Sequence, residues 1–565
     1  HTGDLFGGLG DDRFVFADSS ALTGRADGQL GEDELDFNAY LTGRQINLTS
    51  TGVIDGFNGT EAALTNGFFN MDKVMGSGAT SDRLTGINAV ATFKLQTATQ
   101  HYSVGAKKLD FASFESLTGG SAADTFAFQG AAVFDGSLFG GLGNDNFDFG
   151  GYGSAVILNR QSAIVPGLLS GNYNSIEGMA GSAFSDTLIG SDAGSVFNIT
   201  AVGAGNVDNA FNFTSVENII GGAGTDVLDY NAYSTAVTLN MQTGTISGLT
   251  SFTSIETVTG SPTKDTILGN AAGSTFRMTN PGAGTVDGQP FTSFEILNGG
   301  IGADALDYSA YAAVVTLNLE TGASSGLTSF SAIENFTGSS NLDTLIGPNA
   351  DSTFVINALA DWTLDALRFD AFENLTGGAG GDTLDYRAYA SAVNVDLLAQ
   401  NATGIGGAVT GIENIIGSPF DDTLMGNNAA NRINAFGGDD LISGRSGDDQ
   451  FVFPAGAGIR GTLDGGPGTD TADFSAHTTT LAALVTGLGS TDGFTGSING
   501  RAFDNLNALI AGSATDDSLT GRTAAADWNL DGVCQYRSGG RALTFANLET
   551  LTGGAGADNF IFTGA

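Results

Sequence analysis

Residues 295–311 read EILNGGIGADALDYSAY, and near copies stand at 217–233 (ENIIGGAGTDVLDYNAY) and 373–389 (ENLTGGAGGDTLDYRAY). The leading glutamates Glu217, Glu295 and Glu373 recur at one fixed step (295 − 217 = 373 − 295 = 78). A chain of 565 residues would ordinarily hold three or four globular domains, but a fixed internal period overrides that expectation and predicts one repetitive body. Between the copies lies a second type of unit, with Gly-Ser followed by Asp-Thr-Leu-like letters: GSAFSDTLIG, GSPTKDTILG, GSSNLDTLIG and GSPFDDTLMG. The acid ahead of each glycine turn recurs at Glu177, Glu217, Glu256, Glu295, Glu334, Glu373 and Glu413, in steps of 39 or 40. Repeat units of this 39-residue kind therefore alternate in two types, which produces the 78-residue period.

Inside each unit the grammar is that of strands. AVTLN, VVTLN and STFVI alternate or are β-branched, and clusters of Gly, Asn, Asp and Ser separate them. Segments of four to six residues cannot bury a face alone, whereas equivalent strands stacked in register share one core. The predicted fold is all-β, a parallel β-solenoid of β-helix or β-roll type, rising about 4.8 Å per coil. A single 39-residue coil and two coils of about half that length both fit the period. Residues 478–487 (TTTLAALVTG) are the one stretch that reads as a short helix.

Composition narrows the partners. The chain has 86 Gly, 61 acidic and 20 basic residues, for a net charge of −41. That excess disfavours nucleic acid and anionic membranes and calls for cations. Cys534 is the single cysteine, so no internal disulfide staples the fold, and no apolar run is long enough to suggest membrane insertion.

Each turn fits a nine-residue register with Asp at position 6 and an apolar residue at position 8. Strict Gly-Gly-x-Gly-x-Asp copies place that acid at Asp12, Asp145, Asp226, Asp304, Asp382 and Asp558; variants place it at Asp33, Asp124, Asp439, Asp449 and Asp470. Glycines at positions 1, 2 and 4 permit positive φ and let carbonyl oxygens converge. Together with a carboxylate they suit Ca²⁺, which takes six to eight oxygens at about 2.3–2.6 Å. In the Gly-Ser units, Asp186, Asp265, Asp343, Asp422 and Asp517 are expected to stabilise metal-free turns by accepting backbone N–H bonds, with Asp422 drawn toward metal binding by its tandem setting.

The register resembles the glycine- and aspartate-rich nonapeptide of RTX proteins, most closely in GSPFDDTLMGNNAANRINAFGGDDLISGRSGDDQFVF at 417–453, with half-turns ending on Leu424, Ile433, Leu441 and Phe451. The resemblance implies a parallel β-roll holding several Ca²⁺ ions between turns, each shared by side chains one coil apart. Asn431 with Asp449 (449 − 431 = 18) and Asp422 with Asp439 (439 − 422 = 17) are such pairs. Carried onto this chain, the metal-binding candidates are Asp12, Asp33, Asp145, Asp226, Asp304, Asp382, Asp422, Asn431, Asp439, Asp449, Asp470 and Asp558. Over nearly the whole chain the sequence also resembles giant bacterial surface proteins built from degenerate RTX-like repeats, which implies type I secretion and folding at the cell surface or outside the cell. Five segments are expected: 1–71 as RTX-like insert coils; 72–176 as solenoid units with an insert; 177–416 as the regular 39-residue repeats; 417–503 as tandem nonapeptides and an insert; and 504–565 as units continuing the N-terminal pattern. Residues 28–57 and 465–494 are copies of one insert.

The remaining features read as structure. Tyr230/Tyr233, Tyr308/Tyr311 and Tyr386/Tyr389 are expected to pack as an aromatic ladder rather than to stack on sugars, and the Glu series to cap backbone donors. His1, His101 and His477 lie far apart and without a second unusual acid or base, so the chain is expected not to be an enzyme. The C-terminal letters LTGGAGADNFIFTGA followed by HTGDLFGGLGDDRFVF would reproduce 117–149, which predicts either a window of a longer array or end-to-end assembly into a fibre. The expected function is a calcium-stabilised structural segment of a secreted surface protein or filament, with the stalk of a large adhesin, or a polysaccharide lyase or epimerase on a β-helix, as alternatives. Surface polysaccharide is a candidate partner.

Overall fold

The computed structural model describes residues 1–562; the last three letters of the C-terminal match fall outside the described residues. The chain forms two compact units, His1–Leu268 with Gly288–Phe294, and Gly269–Asp287 with the chain from Glu295 onward. All regular structure among the described residues is β. Among the described residues no helix is long and apolar enough to cross a membrane.

Each unit is built from two facing strand ladders. In the second unit, one ladder runs through Ala305–Asp307, Asn335–Thr337 and Leu367–Asp370, paired in parallel at Leu306, Phe336 and Phe369. The facing ladder holds Thr316–Asn318, Thr344–Ile346 and Asn374–Thr376, parallel at Leu317, Leu345 and Leu375. The central residue of each short strand points inward and is fully buried, as Leu306, Leu317, Leu345, Phe369 and Leu375 are. Rings meet across the core, for example Phe330 against Phe336 at 5.4 Å, and stack along it, as Phe453 on Phe474 at 4.4 Å. The predicted parallel solenoid is therefore present.

Neither predicted coil size holds through the 39-residue units, because the chain does not wind steadily there. Between parallel runs it doubles back through three-stranded antiparallel meanders. Thr353–Ala358, Asp361–Leu364 and Leu367–Asp370 form one such meander, with Ile356 opposite Trp362 and Trp362 opposite Phe369. The next unit places its meander on the other face, where Asn394–Asp396 pairs antiparallel with Asn401–Ala402 and Val409–Thr410 rejoins the parallel ladder beside Asn374–Thr376. A 39-residue unit thus puts four strands on one face and one on the other, and two units of opposite type balance the faces at five strands each. This balance is the structural reason for two unit types and a 78-residue period. Only in the nonapeptide stretches does the chain coil simply. There the parallel ladder steps evenly from Asn414 to Arg432 to Gln450 (432 − 414 = 450 − 432 = 18), and then to Thr471 (471 − 450 = 21).

The copied inserts 28–57 and 465–494 each contain a glycine–aspartate turn leading into a long meander, Gln45–Thr51 with Phe57–Glu61 and Ala482–Leu488 with Phe494–Ile498. The predicted helix at 478–487 is corrected accordingly: 482–488 is a meander strand whose inward Ala483 and Val485 alternate with exposed neighbours. Its Thr- and Val-containing sequence suits a strand, and the period is 2 rather than 3.6.

Tyrosines anchor the meanders. Tyr230, Tyr308 and Tyr386 are buried, and their hydroxyls donate to Ser247 O (2.8 Å), Ser325 O (3.0 Å) and Thr403 O (2.7 Å) at the far end of the adjacent meander. Each packs edge-on against its partner Tyr233, Tyr311 or Tyr389, at 5.3, 5.3 and 5.7 Å. The packing role holds, but the pairs do not form a coil-to-coil ladder. His477 takes the second tyrosine's place, with its N–H on Phe474 O and its ring edge-on to Phe474 at 5.1 Å.

Candidate metal centre: the aspartate ladder

The position-6 aspartates point inward beneath the glycine turns, and most are fully buried. One oxygen of each has a fixed task. Asp226 Oδ1 accepts the Ser195 N–H (2.7 Å), Asp304 Oδ1 the Ser274 N–H (2.6 Å) and Asp382 Oδ1 the Ser352 N–H (2.9 Å), each donor lying one layer back. The aspartate's own N–H is taken by an acid one layer ahead: Asp226 by Glu256 Oε2 (2.6 Å), Asp304 by Glu334 (2.8 Å) and Asp382 by Glu413 (2.9 Å). The glutamate series does cap backbone donors, as its spacing suggests. Replacing Glu413 by Ala leaves the Asp382 N–H unpaired and is expected to cost about 1–2 kcal/mol in a urea titration. Glu413→Gln keeps an acceptor and removes a charge that raises the Asp382 pKa, so its loss is expected to be smaller.

The second oxygen divides the turns into two classes. In Gly-Ser units it is satisfied by the serine four residues earlier: the Ser261 N–H donates to Asp265 Oδ2 (2.5 Å) while its Oγ donates to Oδ1 (2.8 Å), and Ser418 binds Asp422 likewise (2.7 and 2.6 Å). In eight other turns Oδ2 is buried without a hydrogen-bond partner, at Asp33, Asp145, Asp226, Asp304, Asp382, Asp440, Asp449 and Asp470, and so it is at Asp517 despite its Gly-Ser unit. An unpaired buried carboxylate oxygen is costly unless something else binds it.

A left-handed residue accompanies the open oxygen in most of these turns; Gly378 ahead of Asp382 and Ser513 ahead of Asp517 are the exceptions. The residue four before the acid has φ of 106° at Gly141, 99° at Gly300 and 86° at Gly466, and the same left-handed conformation at Gln29 (76°), Phe436 (60°) and Arg445 (75°). In that conformation the N–H turns away from Oδ2. Non-glycine residues held there store strain, about 1–2 kcal/mol each, of the kind that persists at functional sites. Position 1 needs glycine for a different reason from the one predicted. At Gly299 an added Cβ would lie 2.0 Å from Ala332 O and 2.5 Å from the Asp304 Cγ, so close approach rather than positive φ excludes side chains.

The predicted site residues fall into groups. Asp33, Asp145, Asp226, Asp304, Asp382, Asp449 and Asp470 are buried with an orphaned oxygen, and half-buried Asp558 has one at Oδ1. Asp12 is half-buried, its N–H donating to Asp33 Oδ1 at 2.8 Å. Asp422 is saturated by Ser418 and by the Val393 N–H (2.8 Å). The Asn431 carbonyl takes the Asn427 N–H (2.7 Å), and its amide donates to Glu413 O (3.0 Å). Asp439 lies on the surface, ion-paired with Arg501 at 3.1 Å; the ladder position belongs to Asp440, whose Oδ1 accepts the Asp422 N–H (2.8 Å). The inward apolar residue is correspondingly Ile442, not Leu441. An 18-residue step from Asp422 finds Asp440, whereas anchoring on the first apolar letter does not. Asp517 is a second omission, because Ser513 bonds His477 O (2.9 Å) and leaves Oδ2 open.

Burial raises these carboxyls: Asp440 to about 8, Asp449 and Asp470 to about 7, and Asp145 to about 6, with neighbouring carboxylates adding to the shift at each. No group of three or more His, Cys, Asp or Glu side chains converges among the described residues. A cation here would be held by one or two carboxylates with turn carbonyls, an all-oxygen set that suits Ca²⁺. No curated protein matches the chain. The family model of the RTX calcium-binding nonapeptide repeat matches residues 416–451 in four copies. With the evenly stepped coils and inward aspartates of that stretch, the match shows that the chain carries RTX-like calcium-binding nonapeptide repeats at 416–451.

Proposed function

We propose that the chain is a structural segment of a secreted bacterial surface protein or extracellular filament, in which Ca²⁺ locks the glycine turns. The carrying observation is the row of buried, unpaired Oδ2 atoms, most of them under left-handed turns, which leaves the ion-free fold with buried carboxyl oxygens that have no partner. The −41 charge fits a chain that stays open at low calcium and folds where calcium is abundant. The inward aspartates are buried beneath the turns and bonded into the stack, which supports a non-enzymatic reading. A stalk of a larger adhesin uses the same physics.

The test is a calcium titration of the EDTA-treated chain followed by far-UV circular dichroism and calorimetry. A cooperative gain of β-signal with several ions bound per chain is expected; a β-signal and melting temperature indifferent to both EDTA and calcium would sink the proposal.

A further inference from the structure

The two copied inserts each deliver a second carboxylate to a glycine turn. In the first, the loop between meander strands Gln45–Thr51 and Phe57–Glu61 carries Asp55, whose Oδ2 faces the N–H of Gly31, position 4 of the Asp33 turn, at 3.4 Å. In the second, the equivalent loop carries Asp492, whose Oδ2 accepts the Gly468 N–H of the Asp470 turn at 2.8 Å. Both pairs have the same separation in sequence (55 − 33 = 492 − 470 = 22). In both, the remaining loop-acid oxygen, Asp55 Oδ1 or Asp492 Oδ1, is buried and unpaired, as is Oδ2 of fully buried Asp33 or Asp470.

The supporting frame is duplicated too. Asn70 Oδ1 accepts the Ile54 N–H (3.2 Å) and its amide donates to Asp27 (2.8 Å); Asn505 Oδ1 accepts the Thr491 N–H (2.8 Å) and its amide donates to Asp464 (2.7 Å). Cationic side chains at both loops bind loop carbonyls instead of the acids. Lys107 Nζ donates to Ile54 O (2.9 Å), and Arg541 to Gly489 O (2.6 Å) and Gly493 O (3.0 Å). None of Asp33, Asp55, Asp470 and Asp492 forms an ion pair among the described residues. Two like charges are thus held together without a counter-charge, where a meander tip meets a coil.

We propose that Asp33 with Asp55, and Asp470 with Asp492, form a second class of site for a hard divalent cation, one in each copied insert, that clamps the meander loop onto the glycine turn. It differs from a nonapeptide site in drawing its second acid from an antiparallel loop rather than from the next coil. The inference rests on the calcium reading of the turns above. Copy one also has Asp72 Oδ2 near the Asp33 N–H (3.3 Å), where copy two has the neutral Asn507 on Asp470 (3.1 Å), so the first site is the more acidic and is expected to bind more tightly.

The experiment counts bound Ca²⁺ by equilibrium dialysis of the full chain and its Asp55→Asn, Asp492→Asn and doubly substituted variants, each with wild-type circular dichroism at saturating calcium. One ion fewer is expected for each single variant and two fewer for the double variant, while Asp422→Asn loses none. An unchanged count with wild-type affinity would overturn the clamp but leave the calcium reading standing; a wild-type chain that binds no calcium would end both. Should the variants not fold, hydrogen exchange on the wild-type chain decides: calcium is expected to slow exchange at least tenfold in loops 52–56 and 489–493, and equal rates with and without calcium would refute the clamp.

Discussion

In EDTA, the chain is expected to lose thermal stability as pH rises from 5 to 8, and in saturating calcium to gain it over the same range. The sign follows from the buried acids. Asp440, Asp449 and Asp470 have folded pKa values near 8, 7 and 7 against an ordinary value of 3.8, because burial penalises their charged form. Between pH 4 and 8 the ion-free fold therefore holds protons that the unfolded chain has released. This contribution is complete below about pH 4 and is lost as pH climbs through 7 to 8. Calcium takes the protons' place, and its binding releases them, so its affinity rises with pH. Calorimetric melts at pH 5.0, 6.5 and 8.0 with and without calcium should cross, with a calcium-dependent gain at pH 8 on the order of 10 °C. Parallel curves would mean that these carboxyls titrate normally in the fold.

Trp362→Ala is expected to be the most damaging single truncation in the second unit, at about 3–5 kcal/mol. Trp362 is fully buried in the middle strand of a meander, between Ile356 and Phe369, and its indole N–H donates to Gly404 O at 3.2 Å. Its loss opens a cavity in the middle of the meander and leaves the buried Gly404 carbonyl with the Ala360 N–H (2.9 Å) as its remaining donor. Trp362→Phe refills most of the space and should cost markedly less in urea unfolding followed by circular dichroism. Equal costs would show that packing does not hold the meander.

The repeat, the strands, the inward row of apolar residues and the acidic register were all legible from spacing, because stacked layers impose equivalence on every copy. The reversal of the chain was not. The alternation in STFVINALADWTLDALRFD marks three strands but carries no sign of direction, and the turns between them are made by Ala360 and Asp365 at φ of 56° and 52°, not by the usual glycine. Residues 417–453 misled by a single letter, since Leu441 and Ile442 are both apolar and only the step from Asp422 selects the inward one. Most of the split between saturated and open carboxylates was visible as serine against other residues at the second position, with open Asp517 behind Ser513 and saturated Asp124 behind Gly120 as exceptions. What that difference meant required seeing that the Ser418 backbone and hydroxyl both reach Asp422, while Phe436 and Arg445 turn their N–H groups from Asp440 and Asp449.

The unequal split of strands also constrains how such a gene can lengthen or shorten. Loss of one 39-residue copy by recombination would remove four rungs from one side and one from the other, a mismatch of three rungs or about 14 Å. Loss of a 78-residue pair removes five from each and leaves the join intact. Viable length variants should therefore differ by whole pairs, with odd copies surviving only beside the simple nonapeptide coils, where each added turn contributes equally to both sides.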